Sequence, residues 1–274
     1  MLNSLAAFDL HISLGAQTVF TVFGFPVTNA FITGAISLVI FVSMFMYVSR
    51  MVRRGRYNRF IGLVQWAFEG MLGQVDSVIT DKKLARKIAP FSLTIFFYVL
   101  VSYWMSIIPG LESITVNHVP LIRSIAADLN FTLAIMLITM VMVQVYAIRR
   151  HGVLRNLGRY FRNPLKDPIG AFEGFLELIG EVSRGLALAL RLFGNCFAGE
   201  VLLIIIALLT SFLSVAILPV FMAFELFIGL VQAYVFFILS LIFTSLAVDH
   251  GDHAAEPQSD HSHPAPDPVA GRMT

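Results

Sequence analysis

Apolar residues run in blocks far longer than an amphipathic repeat. No charge occurs in residues 12–49, whose most apolar part is about 30–47, none in 88–111, and none in 129–148. Residues 182–248 hold only Arg184, Arg191, Glu200 and Glu225, and are long enough for two helices with a turn near 211–219. A bilayer is crossed by about 20 mainly apolar helical residues. The pattern therefore predicts an all-α polytopic membrane protein with five spanning helices. Residues 58–80 differ: Trp66, Phe68, Leu72 and Val75 are interspersed with Glu69, Gln74 and Asp76. That mixture predicts an amphipathic helix lying in the membrane interface.

Composition supports the pattern. Of the 274 residues 57% are hydrophobic and 13% charged, with a mean hydropathy of +0.80. A soluble chain carries about 25% charge, so a soluble enzyme, a disordered chain and a disulfide scaffold are all excluded. The lone Cys196 allows neither an intrachain disulfide nor a cysteine metal cluster. No phosphate-binding glycine loop, nucleophile elbow or HExxH motif occurs, and no cofactor is expected.

The net charge of +2 matters less than where the charges lie. All but four of the 19 Lys and Arg fall in residues 50–87 and 149–166, and the other four are Arg123, Arg184, Arg191 and Arg272. Basic clusters can bind nucleic acid, but these flank apolar spans, so positive-inside anchoring is the better reading. Both loops are then cytoplasmic, and the loop with Glu112, Arg123 and Asp128 is external. Five spans put the N-terminus outside and the C-terminus inside. Residues 1–29 lack the basic start of a signal peptide. Residues 1–248 read as one membrane domain. Residues 249–274, rich in His, Pro and Asp, read as a disordered tail, where His261 and His263 make no closed metal site.

The buried charges are the candidate chemistry. An arginine near the bilayer centre costs about 2.5–3.5 kcal/mol on insertion scales, and it stays protonated where lysine could lose its proton. Arg191 is therefore either a structural ion pair or snorkelling residue, or a fixed charge that controls another ionisable group. Glu200 and Glu225 adjoin long apolar runs. Such surroundings disfavour the charged form of a carboxylate, which makes each a candidate proton relay. On one helix Arg191 and Glu200 stand about 180° apart and ~13 Å along the axis, so they face different neighbours. Asn195 shares nearly the face of Arg191, and Gln232 that of Glu225. Gln232 could reach either Arg191 or Glu200. Glu173, Glu177 and Glu181 form a stripe, read as a solvated face or as a hydrated cytoplasmic approach. Asp128 and Asn130 start a span, where capping competes with an ion path. Gly194 and Gly199 are read as allowing close helix packing.

The run Leu190-Arg191-Leu-Phe-Gly-Asn195-Cys-Phe-Ala-Gly-Glu200 resembles subunit a of F-type ATP synthases. Ala127-Asp128-Leu-Asn130, Ile108-Pro109 and the run from Glu225 through Gln232 to Tyr234 agree with it, and the resemblance covers about residues 8–248. It implies that the last two helices form a long tilted hairpin against a ring of c subunits. It further implies b-type peripheral stalk subunits and the rest of the F1F0 complex as partners, in a bacterial inner membrane, with no catalysis by the chain itself. By resemblance Arg191 meets the ring carboxylate. Asn195, Glu200, Glu225 and Gln232 match polar positions of the proton path. Glu177 matches a position near the cytoplasmic exit, and Arg184 a basic position before the essential arginine. Some members carry histidine where this chain has Glu200 or Glu225, so this hairpin has no imidazole relay and the division of labour between the two glutamates stays open. Two rivals fit less well. A secondary transporter predicts two related halves, and no internal repeat is seen. A structural scaffold leaves Arg191, Glu200 and Glu225 without a reason.

Overall fold

The computed structural model describes residues 16–22, 24–79, 81–108, 115–116, 119–120, 123–160, 168–210 and 213–253. An antiparallel hairpin of β1 (Thr18–Val22) and β2 (Phe25–Thr28) leads into α1 (Asn29–Arg53). The Thr28 hydroxyl caps α1 by accepting the Phe31 N–H at 3.2 Å. Arg50 and Arg53 fill its last turn, where the helix dipole favours cations. α2 (Arg59–Val78) buries Ile61, Val64 and Val75 and exposes Leu63 and Trp66. It is the amphipathic helix predicted for this stretch.

α3 (Lys82–Ser106) starts at Asp81, whose carboxylate accepts the Lys83 N–H at 2.9 Å. That backbone N–H, first among several causes, holds the Asp81 carboxyl below its usual range. The small hairpin of β3 (Thr115–Val116) and β4 (Val119–Pro120) precedes α4 (Leu129–His151), which ends at Gly152 with φ 84°. Then come the short α5 (Val153–Tyr160), α6 (Pro168–Thr210) and α7 (Ser214–His253). Five helices are long and apolar enough to cross a membrane: α1, α3, α4, α6 and α7 as far as Val248. The fold is thus an all-α polytopic membrane protein with the predicted number of spans.

The differences have a physical cause. α3 begins six residues before its apolar run, and α1 extends six residues beyond its most apolar stretch. Hydropathy marks the apolar part of a helix, whereas caps mark its ends. The two hairpins and α5 were not anticipated, because they are too short for a periodicity to register. The expected tail continues α7 as helix to His253; residues 254–274, with His261 and His263, lie outside the described residues, as do residues 1–15 and Glu112.

α7 is at the centre of the packing, against α3, α4 and α6. Its Phe236, Phe237 and Leu241 share one buried core with Phe96, Val99 and Tyr103 of α3 and Leu188 and Leu192 of α6. Phe96 and Phe237 stack edge-to-face at 5.9 Å. α6 and α7 run antiparallel, with Gly199 against Glu225, Asn195 against Gln232, and Arg184 against Phe243. A helix of 43 residues is about 65 Å long, about twice the hydrocarbon thickness. The surplus requires tilt or extension into water.

Candidate functional site

Two polar clusters lie along α6, with Arg191 between them. The first is built where α3, the segment before α4, α6 and α7 converge. Glu225 of α7 is 4% exposed. Its Oε1 accepts the Tyr103 phenol O–H at 2.6 Å, and Tyr103 is fully buried. Two glycines make this contact possible. A Cβ at Gly199 would overlap the Glu225 carboxylate, and a Cβ at Gly229 would overlap the Tyr103 ring. Glu225 and Gly229 are four apart on α7, so they share a face. The next residue along α3 fixes the same junction: Trp104 Nε1–H donates to the Leu226 carbonyl at 3.0 Å.

Glu200 is held differently. Arg123 Nε lies 3.6 Å from its Oε1, and the two side chains are 10% and 17% exposed. The Arg123 backbone N–H is anchored to Thr33 Oγ1 of α1 at 3.2 Å. Next to Arg123, the Ser124 hydroxyl lies 2.9 Å from Cys196 Sγ. Cys196 is a buried free thiol. Among the described residues no Lys, Arg or His lies within ion-pair distance of Glu225.

Arg191 is exposed on α6, and among the described residues it makes no hydrogen bond or ion pair. Asn195, one turn on, is also exposed and donates to Gln232 Oε1 at 2.7 Å. Gln232 therefore bonds Asn195 rather than Arg191 or Glu200, the two partners expected for it. Its buried Nε2 has no partner among the described residues. Tyr234 lies 6.4 Å from the Phe237 ring and is partly exposed.

The second cluster gathers at the other end of the long hairpin. Glu181 Oε2 accepts the Tyr160 O–H at 2.7 Å and a Gln144 Nε2–H at 2.8 Å. Asn156 Nδ2–H donates to Gln144 Oε1 at 3.0 Å. Beside this network a cavity of about 360 Å³ is lined by Glu173, Glu177, Glu181 and Arg184 among apolar residues of α4 and α7. Arg184 lies over the Phe243 ring at 5.7 Å. Glu181 and Glu200 are nineteen residues apart, about 28 Å along the helix, close to the hydrocarbon thickness. Arg191 stands almost midway.

The family model described as ATP synthase A chain matches residues 30–245. The chain belongs to the ATP synthase A chain family. It is 30% identical over 229 residues to ATP synthase subunit a of Mycobacterium ulcerans, covering 81% of this chain and 87% of the relative. It is 33% identical over 199 residues to that of Mycobacterium tuberculosis, covering 69% and 75%. The Rubrobacter xylanophilus relative is 32% identical over 217 residues, covering 75% and 78%. For this member of the family, the resemblance carried by the run at Arg191 is borne out.

Some residues of the site escaped the sequence. Tyr103 and Arg123 belong to distant segments, 122 and 77 positions from their glutamates. One signal pointed toward Arg123, since it lay outside both basic loops. Gln144, Asn156 and Tyr160 gave no signal at all. Asp128 caps α4 by accepting the Asn130 N–H at 3.0 Å and its Nδ2–H at 3.2 Å, so the capping alternative describes both residues. Gly199 fits the close-packing expectation, with a carboxylate as the packed group. Gly194 does not, because a Cβ there meets nothing within 4 Å.

Proposed function

We propose that the chain is the non-catalytic, proton-conducting subunit of the membrane sector of an F-type ATP synthase. Its partners are a ring of c subunits, b-type stalk subunits and the remaining F1F0 complex. It sits in a bacterial inner membrane with the basic loops cytoplasmic, the N-terminus outside and the C-terminus inside.

The observation that carries this reading is the position of Arg191. It is a permanent charge on the outer face of an apolar helix, without a partner among the described residues and midway between two polar clusters. A lone arginine there is costly, so the reading supplies its counter-charge from outside the chain, as a ring carboxylate. A proton enters past Glu200 and Glu225 and neutralises that carboxylate. The neutral ring site turns through lipid and releases its proton into the cavity beside Glu177 and Arg184. Arg191 favours the ionised carboxylate and blocks a direct path between the half-channels. Asn195, one turn from Arg191 and exposed like it, bonds the buried Gln232 of α7. The driving energy is about 2.3 kcal/mol per charge per 100 mV.

The test is ATP-driven proton pumping and passive leak in vesicles, normalised to assembled complex. Arg191→Ala abolishes coupled pumping and raises leak. Arg191→Lys is also severely impaired, because it loses the planar fork and the very high pKa. Near-normal coupled pumping by Arg191→Ala overturns the reading.

A further inference from the structure

A groove of about 640 Å³ opens between α1, α2 and α3, and it shares no lining residue with either polar cluster. Its α3 wall runs from Arg86 past Leu93 and Thr94 to Phe97. Phe41 and Phe45 of α1 and Phe68 and Leu72 of α2 face that wall. Thr94 turns its hydroxyl back onto the Pro90 carbonyl at 2.7 Å, so beyond Arg86 the lining offers no free side-chain donor. Arg86 stands just outside the uncharged run 88–111, which places it at headgroup level. It is exposed, and among the described residues it makes no hydrogen bond or ion pair. Lys82 and Lys83, four and three residues earlier, share its face of α3 and are exposed too.

The shape of the groove selects its occupant. An apolar cavity stays dry, so between membrane helices it takes up hydrocarbon or another helix. Arg86 and Phe97 are about 16 Å apart along α3, close to the hydrocarbon of one leaflet, half of about 30 Å. A helix about 10 Å across would fill roughly twice the volume of the groove over that length. The volume is instead that of a small-molecule site, about 300–1,000 Å³. Cations at one end and an apolar wall along the rest fit a molecule with an anionic head and an acyl tail.

We propose that this groove is a binding site for an anionic phospholipid, with one acyl chain lying along α3 between α1 and α2, and the phosphate at Arg86, backed by Lys82 and Lys83. The lipid fills what the three helices leave open and ties the interfacial helix α2 to two spans. No residue of the proton path takes part, so the inference stands apart from the reading above.

The experiment uses the full chain in its native assembly, reconstituted in phosphatidylcholine vesicles. The probe is a trace of phosphatidylglycerol with a photoactivatable group midway along one acyl chain. After illumination, labelled peptides are mapped by mass spectrometry and normalised to chain recovered. Label falls on residues 41–46 and 89–97, and unlabelled phosphatidylglycerol displaces it where added phosphatidylcholine does not. Arg86→Gln lowers groove labelling about fivefold, the attraction of one basic side chain for anionic lipid. Val42→Trp enlarges an exposed apolar residue of the lining and lowers labelling at least as much. Ile40→Trp, two residues away on nearly the opposite face of α1, leaves it unchanged. If Val42→Trp does not assemble, Arg86→Gln alone decides. Three results each overturn the proposal: no groove labelling in the assembly, as a stalk helix seated there would give; equal displacement by phosphatidylcholine; or undiminished labelling in Arg86→Gln.

Discussion

Gly199→Ala is a small change with a large expected consequence. The three atoms nearest an added Cβ are all in the Glu225 carboxyl group, and all three contacts are shorter than real Cβ atoms show. Something has to move. If the helices part, overpacking costs about 1–3 kcal/mol. If Glu225 swings out of the slot, its bond to Tyr103 is lost, and a hydrogen bond to a charged group is worth about 1.5–3 kcal/mol. Either route costs about 2 kcal/mol, a roughly 30-fold fall in the population with Glu225 seated. Pumping should fall about tenfold or more at unchanged complex content. The double variant Gly199→Ala/Glu225→Asp should recover part of that loss, because shortening the side chain by one methylene vacates the space the methyl needs. Gly70→Ala on α2 is the control: a Cβ there meets nothing within 4 Å, and the helix gains about 0.8–1 kcal/mol of propensity. The assay is pumping per assembled complex, with complex content read on native gels. Wild-type pumping by Gly199→Ala, or a double variant no better than the single, would refute the reasoning.

Labelling of single introduced cysteines with impermeant reagents should place residues 50–60 and 150–165 on the cytoplasmic side and 113–124 outside; the native Cys196 is buried and stays silent. External labelling of 150–165 rejects the orientation. Tyr160→Phe removes a hydrogen bond accepted by Glu181 Oε2, worth about 1.5–3 kcal/mol if that carboxylate is charged. Limited proteolysis of membranes should then cut in residues 153–167 faster than in the parent, and an unchanged rate excludes a clamp on α5.

The sequence by itself determined the class of fold, the number of spans and the interfacial helix. The solvent dictates these: every buried backbone group in lipid is satisfied by helix, so length and apolarity suffice to find a span. It also singled out Arg191, Glu200 and Glu225, because a charge in an apolar run is costly enough to stand out alone. What those charges touch was decided only by tertiary structure. Glu225 meets Tyr103 across 122 positions, and nothing in either local pattern couples them. Gln232 had two candidate partners by helix geometry and takes a third, Asn195, because rotation about an axis fixes a face but not the register of the opposing helix. Gly194 and Gly199 look alike in the chain, yet one opens on empty space and the other seats a carboxylate. Periodicity reports which side of a helix a residue occupies. Packing decides which side chain waits there: Tyr103 of α3 for Glu225, and Arg123 of the segment before α4 for Glu200.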